Sequence, residues 1–436
     1  MFKGKKVAIL GLGLEGRDLA MYLLGENALI TIFDEKAEGQ IDFGLVPKKN
    51  ISIKCGKNYL KGKLTTFDYI FRSPGVYRYL PEIIDAGKRG VKILSATKLF
   101  FERCPGRIIG VTGTKGKGTT ATLIYETLKS AGKDVYLAGN IGSPLLELLP
   151  KLKKESWVIL ELSSFQLIDL SVSPHIAVVL NITQDHLDWH KSVNEYVEAK
   201  KNIVKFQKEG DFAVINEDYA LPKSFSKETK CKIVFYSKSG LPEKYKSILL
   251  LKGEHNWENV AAATTVAKIL DIKESIILRV LSTFKGLEHR LELVGEASGI
   301  KYYNDSFATG PQPASAALNS FLEPLTLILG GYDKGLNYKG LAKLAAKKNN
   351  LKNIILIGDL SDKLGKMLID AGYKGNIVNM GKQSMLEIVK KACFLTPKGG
   401  VILLSPAAAS FDMFHDYKER GKKFKAAFLQ LNKNGQ

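Results

Sequence analysis

One pattern recurs along this chain: a short unbroken apolar run, a break rich in glycine or serine, then a segment whose apolar residues return every three or four positions. Apolar runs without alternation mark strands covered on both faces, as in parallel sheets joined by helical crossovers. KKVAIL, ALITIF and DYIFRSPGV are such runs near the start, and IIGVT, SWVILEL and HIAVVLNIT follow in the middle. LTLILGG, NIILIG, GNIVNMG and GVILLSPAAAS repeat the pattern towards the end. The series predicts an α/β protein of three domains. Residues 1–98 are expected to form a Rossmann-like domain, 99–286 a central P-loop-type domain with a parallel sheet, and 287–436 a second Rossmann-like domain. Residues 206–252 alternate short strands with Lys-, Ser- and Gly-rich turns and carry no assignable motif.

Two of the strand-to-helix breaks are glycine loops. The central one, IIGVTGTKGKGTT over residues 108–120, is predicted to turn from strand into helix around Gly113, Thr114, Lys115, Gly116, Lys117, Gly118 and Thr119. Its glycines let backbone N–H groups converge, the helix N-terminus adds partial positive charge, and Lys117 is placed to reach terminal phosphates. Val111 stands where the strict phosphate-loop pattern has its first glycine, and Gly118 follows the lysine, so the match rests on the strand–loop–helix context. The first loop, Gly11-x-Gly13-x-x-Gly16, is followed by Asp34 at the end of the next strand. That spacing suits a dinucleotide site with the acid on a ribose hydroxyl, and equally a tight turn without ligand.

Further candidates sit at predicted strand ends. Glu161, beyond a buried strand beside the phosphate loop, is placed to hold Mg²⁺ directly or through water. His186 and His190 are four apart without the HExxH pattern, so no zinc site is expected. Lys200 falls in the apolar stripe of Val193, Tyr196, Val197, Ile203 and Val204, whereas Lys201 and Lys205 lie off it. Such a lysine either snorkels or stays neutral, and a neutral amine can take up CO₂ as a carbamate. Asn256 and Asn259 share a helix face and suit either an adenine edge or a cap. Arg290, Asp305, Thr309, Lys334, Ser410 and Tyr417 all flank predicted strands of the last domain.

Composition narrows the classes. The net charge of +20, carried mostly by lysine, comes without any helix-turn-helix, zinc-finger or RNP pattern; a field for anionic small molecules explains it as well as nucleic acid would, and no nucleic-acid partner is expected. Four scattered cysteines form no CxxC pair, which argues against a disulfide framework or structural zinc. No apolar run reaches membrane-spanning length, and the N-terminal run is broken by glycine and followed by charge without a cleavage site. A cytoplasmic monomer is expected.

Taken in order, GLGLEG, SPGV, TGTKGKGTT, GNIG, ELSSFQL, NITQDHLD, YVEAK, HNWENVAAA, HRLELV, NDSFAT, GGYDK and LLSPAAASFDMFHDYKERG resemble the Mur ligase family end to end. The first and last of these point to its D-glutamate-adding members. The resemblance implies an ATP-dependent ligase that phosphorylates the carboxylate of UDP-N-acetylmuramoyl-L-alanine and lets the amine of D-glutamate attack the acyl phosphate. It implies that Leu14, Glu15, Asp34, Glu35, Lys36 and Ser73 hold the UDP moiety, with Asn140, Gln166 and His186 near the muramoyl part. Lys117, Glu161, His186 and Lys200 become the catalytic set, with Glu161, His186, carbamylated Lys200 and Thr119 holding two Mg²⁺ ions. Asn256, Asn259, Arg290 and Asp305 surround the adenosine, and Thr309, Lys334, Ser410 and Tyr417 hold D-glutamate. Gly118, Phe307 and Tyr417 depart from the family's usual hydroxyl residue, Lys and Phe. A ligase adding another amino acid, a nicotinamide oxidoreductase and a non-catalytic nucleotide binder are the rival readings.

Overall fold

Runs of Val, Ile and Leu build three sheets, and the glycine or serine breaks place the loops at their ends. The computed structural model describes residues 1–61, 64–185, 189–251 and 253–433. The first sheet joins β1 (Lys6–Leu10), β2 (Leu29–Asp34), β3 (Ile51–Cys55), β4 (Tyr69–Arg72) and β5 (Lys92–Leu94) in the order β3-β2-β1-β4-β5, all parallel. The second joins β6 (Arg107–Thr112), β7 (Val135–Gly139), β8 (Trp157–Glu161), β9 (Ile176–Val179), β10 (Phe212–Asn216) and β11 (Lys232–Tyr236) in the order β11-β10-β9-β6-β8-β7, again parallel. The stretch without motifs supplies β10 and β11 at one side of that sheet, a structural part.

The third sheet contains β12 (Glu292–Ala297), β13 (Ile300–Asn304), β14 (Leu325–Gly330), β15 (Leu351–Ile357), β16 (Asn376–Gly381) and β17 (Val401–Leu404) in the order β12-β13-β17-β14-β15-β16. Only the pairing of β12 with β13 is antiparallel. The architecture is therefore three α/β domains with mainly parallel sheets. In sheets of this kind ligands gather beyond the strand carboxyl ends, where the strand order reverses. The glycine loop of the first sheet leaves β1, flanked by β2 and β4, and that of the second leaves β6, flanked by β8 and β9.

The chain divides into two compact units, residues 1–243 with 257–280, and residues 244–256 with 281–436. The first unit holds the first two sheets. One apolar cluster runs through both, from Phe2, Ile9 and Phe71 to Val158, Leu167 and Ile203, so these two domains share a core. In the second unit, separate clusters built on Leu327 and Leu356 and on Ile328 and Ile355 cover the two faces of the third sheet. No helix among the described residues is long and apolar enough to cross a membrane.

Candidate active site

The central glycine loop leaves β6 and enters the helix Lys117–Ser130. Gly116 precedes that helix with φ of 82°, a left-handed conformation that favours glycine. Asn259 explains why no side chain fits there, since a Cβ would lie 2.1 Å from its Oδ1. That oxygen also accepts from Thr120 Oγ1 at 3.3 Å. Thr114 anchors the loop's other end: its amide donates to Asn181 O at 2.8 Å, and its hydroxyl meets Thr183 O and Tyr196 Oη, each at 2.9 Å. Lys117 folds back over the loop and donates to Gly113 O and Thr114 O, both at 3.1 Å.

A second amine arrives from the helix Val193–Lys205. Its buried stripe is Tyr196, Val197, Ala199, Lys200, Ile203 and Val204, so Lys200 takes the inward position that its spacing predicts. Only 2% of Lys200 is exposed. Its Nζ donates to Gly113 O at 2.9 Å and Thr112 Oγ1 at 3.3 Å, and sits 4.8 Å from the centre of the Tyr196 ring. Burial pushes its pKa well below the usual lysine value, and the Lys117 charge pushes the same way, against Asp185 and Glu161. Both effects favour the neutral, nucleophilic form of the amine. Glu161 ends β8, level with Val111 of β6, and is buried with an Oε2 that has no hydrogen-bond partner. Lys115 and Thr119 lie on the same loop and helix turn, and Lys115 Nζ is 3.9 Å from Asp185. His186 lies outside the described residues.

The first glycine loop is braced differently. Asp34 accepts from the Leu12 amide at 2.9 Å and the Lys36 amide at 3.0 Å, and Ser73 Oγ donates to Gly11 O at 2.8 Å. Both oxygens of Asp34 are thus taken by backbone, so its carboxylate shapes the loop. Leu14, Glu35 and Lys36 are exposed beside it. Glu15, in the first turn of the helix Leu14–Gly25, accepts from Gln166 Nε2 at 2.6 Å. Gln166 belongs to the central domain, where it closes a capping box with Ser163. Asn140 is exposed after β7.

In the second unit, Asp305 follows β13 and accepts from Ser405 Oγ at 2.6 Å and the Leu291 amide at 3.2 Å. Burial pushes its carboxyl up to about 7, against those hydrogen bonds and the Arg290 and Arg420 charges. The Arg290 guanidinium lies 4.0 Å from the centre of the Phe307 ring, and Tyr417 meets the same ring edge-on at 5.1 Å. Lys334 is exposed, 5.4 Å from the Phe411 ring centre, while Ser410 is buried and Thr309 half-buried. Asn256, near the start of the helix His255–Ile269, is buried and its amide donates to Gly253 O at 3.0 Å.

Two family models match this chain: the Mur ligase middle domain over residues 111–248 and the MurD-like N-terminal domain of Mur ligases over residues 5–95. The UDP-N-acetylmuramoylalanine–D-glutamate ligase of Acetivibrio thermocellus is 42% identical, covering 97% of this chain and 96% of its own length. The chain belongs to the Mur ligase family. The ligase of the same name from Clostridium tetani is 38% identical over 98% of this chain and 97% of its own. Among solved structures, the UDP-N-acetylmuramate–alanine ligase MurC of Thermotoga maritima matches with a TM-score of 0.60 at 18% identity, covering 98% of this chain and all of its own. MurF of Thermotoga maritima, solved with ADP, matches at 0.58 and 18% identity over all of this chain and 96% of its own. These structural matches speak for the Mur ligase fold.

In this Mur ligase, three side chains outside the expected site residues hold the expected ones in place. Tyr196 ties Thr114 to the helix that carries Lys200; its place in the stripe predicts burial, and the hydroxyl contact depends on a residue 82 positions away. Arg72 ends β4 in an otherwise apolar run and pairs with Asp169 across the two domains of the first unit, donating also to Ser73 O and Phe165 O at 3.2 Å. An arginine inside a buried strand was the available signal. Arg420 is fully buried and donates to Ser306 Oγ at 2.9 Å, Ser306 O at 2.8 Å and Ala408 O at 3.0 Å, fixing the segments that carry Asp305 and Ser410.

Proposed function

We infer that this chain is an ATP-dependent amide ligase that joins D-glutamate to UDP-N-acetylmuramoyl-L-alanine in the cytoplasmic synthesis of peptidoglycan precursors. The observation that carries the activity is the 42% identity, over nearly the whole of both chains, with a ligase of that name. The convergence of the Lys117 and Lys200 amines on Gly113 O, beside the orphaned Glu161 oxygen, supports the mechanism.

In the reaction, an oxygen of the alanine carboxylate attacks the γ-phosphorus of ATP, and the bond to ADP breaks. The amine of D-glutamate then adds to the acyl carbon and loses a proton, and phosphate leaves as the amide forms. Phosphoryl transfer of this kind depends on positioning and charge neutralisation. The loop from Gly113 to Thr119 holds the triphosphate, and Lys117 moves from its carbonyls to the terminal phosphates. Asn256, Asn259, Arg290 and Asp305 hold the adenosine. Leu14, Glu15, Asp34, Glu35, Lys36 and Ser73 hold the UDP moiety, with Asn140, Gln166 and His186 near the sugar. Thr309, Lys334, Ser410 and Tyr417 receive D-glutamate.

The residues present suit magnesium. A buried carboxylate oxygen without a donor invites a cation, and Mg²⁺ is commonly held by one or two carboxylates plus substrate phosphates. Glu161 would hold one ion. His186 and Lys200 would hold another once the neutral amine has taken up CO₂ and released a proton to become a carbamate, and Thr119 is the nearest hydroxyl after Gly118. Bound there, magnesium would offset repulsion between phosphate and carboxylate.

Phosphate release from ATP with UDP-N-acetylmuramoyl-L-alanine and, in turn, D-glutamate, L-lysine and meso-diaminopimelate tests the reading. Release with D-glutamate is expected. Release only with another amino acid would reject this acceptor, and no dependence on any amino acid would reject ligation.

A further inference from the structure

Glu15 occupies an unusual place for a carboxylate. It lies in the first turn of the helix Leu14–Gly25, directly behind the loop that leaves β1. Its Oε1 accepts from Gln166 Nε2 at 2.6 Å, and its Oε2 is buried with no hydrogen-bond partner. A charged carboxylate needs donors for both oxygens, and an orphaned one carries a large desolvation cost.

The charged groups around it do not supply the missing compensation. Asp18, one turn further along the same helix, repels a negative charge, and it is itself held by the amides of Leu146 at 2.7 Å and Glu147 at 3.0 Å, whose side chain adds another negative charge. Arg72, at the end of β4, is the cation that favours the charged form. Its guanidinium is already committed to Asp169 and to the carbonyls of Ser73, Pro74, Val76 and Phe165. Arg17, on the same helix, pairs with Asp42. From the central domain, the element facing Glu15 presents the neutral amide of Gln166, whose Oε1 is occupied by the Ser163 amide and hydroxyl at 2.9 and 3.1 Å. Burial accordingly pushes the Glu15 carboxyl up to about 7, partly offset by the Gln166 hydrogen bond.

We propose that Glu15 makes binding of the UDP-linked substrate proton-linked: the diphosphate bound at the loop after β1 is accepted together with one proton on the Glu15 carboxyl. This rests on the reading that the first domain holds the UDP moiety. The physical reason is additive. A helix N-terminus that opens on a glycine turn attracts phosphate, but a carboxylate in its first turn repels it. Protonation removes the repulsion and turns an acceptor into a donor, and the incoming anion in turn strengthens the hold on that proton. Glu15 is thereby a binding residue whose charge state tunes affinity, with Gln166 orienting it from the other domain.

Calorimetric titration of the whole enzyme with UDP-N-acetylmuramoyl-L-alanine, in buffers of different ionisation enthalpy between about pH 6.5 and about pH 8.5, tests this. The probe is a diphosphate diester that does not itself titrate in that window. The wild type is expected to take up a proton on binding and to lose affinity by up to roughly tenfold per pH unit above about 7. Glu15→Gln, which keeps the shape and a donor, is expected to bind without proton uptake and with a flat profile. Binding by the wild type with no proton uptake, or an unchanged profile in Glu15→Gln, would overturn the proposal while leaving the substrate reading intact. The wild-type measurement decides even if the variant fails to fold. Absence of wild-type binding at every pH would overturn the substrate reading, and this proposal with it.

Discussion

The loop after β1 and the loop after β6 are built on one plan, a parallel strand, a glycine turn and a helix, but they are braced by groups of opposite hydrogen-bonding sense. After β1, a carboxylate does the bracing: Asp34 takes the amides of Leu12 and Lys36. After β6, amines do it: Lys117 and Lys200 take the carbonyls of Gly113 and Thr114. A carboxylate satisfies N–H groups and leaves the turn electronegative. Amines satisfy C=O groups, so the loop's amides and the helix N-terminus stay aimed at an anion in a positive field. The second arrangement suits a triphosphate. The first suits a less charged diphosphate, and Glu15 in its helix makes even that depend on a proton.

Removing charge from the central loop gives the sharpest way to break this contrast. Lys117→Met is expected to lower turnover about a thousandfold, in line with loss of a charge-stabilising donor at the reacting phosphate, as measured by phosphate release. Lys200→Met is expected to cost about a hundredfold, the size of losing support for a metal ligand. The carbamate reading adds a spectroscopic check: wild type in ¹³C-bicarbonate should show a carbamate resonance that the variant lacks. A resonance present in both would locate it elsewhere.

The glycines allow a finer comparison. Gly116→Ala combines a left-handed φ with a Cβ set against Asn259, so a loss of about 1–3 kcal/mol and a raised KM for ATP are expected. Gly16→Ala would set a Cβ 2.2 Å from the backbone oxygen of Gly11 and should weaken the UDP substrate while sparing ATP. If either change affected both ligands alike, the two loops would not act separately. The smallest effect is assigned to Asp34→Asn, about 1–2 kcal/mol in urea unfolding with ATP kinetics unchanged, because it removes charge from hydrogen bonds to backbone.

Both loops were legible from the chain because their signals are local: glycines at fixed offsets after an apolar run, and a lysine or an acid at a fixed distance. Lys200 was legible too, since a lysine in the buried stripe of a helix must lose solvent wherever that helix packs. The structural contacts of Asp34 and Asn259 were not. Their residue types suit a ribose or an adenine, and the fold adds that Asp34 also braces its own loop and Asn259 also packs against Gly116.

The α/β class, most of the buried strands and the family were legible in the sequence alone, because apolar periodicity and turn chemistry act over a few residues and the motifs recur in fixed order, whereas the strand order within each sheet came only with the fold. Tertiary structure decided the electrostatics. Glu15 meets Gln166 across 151 positions, Lys200 meets Gly113 across 87, and Arg72 meets Asp169 across 97. Charge states depend on burial and on which groups face one another in space, and that information exists only once the chain has folded.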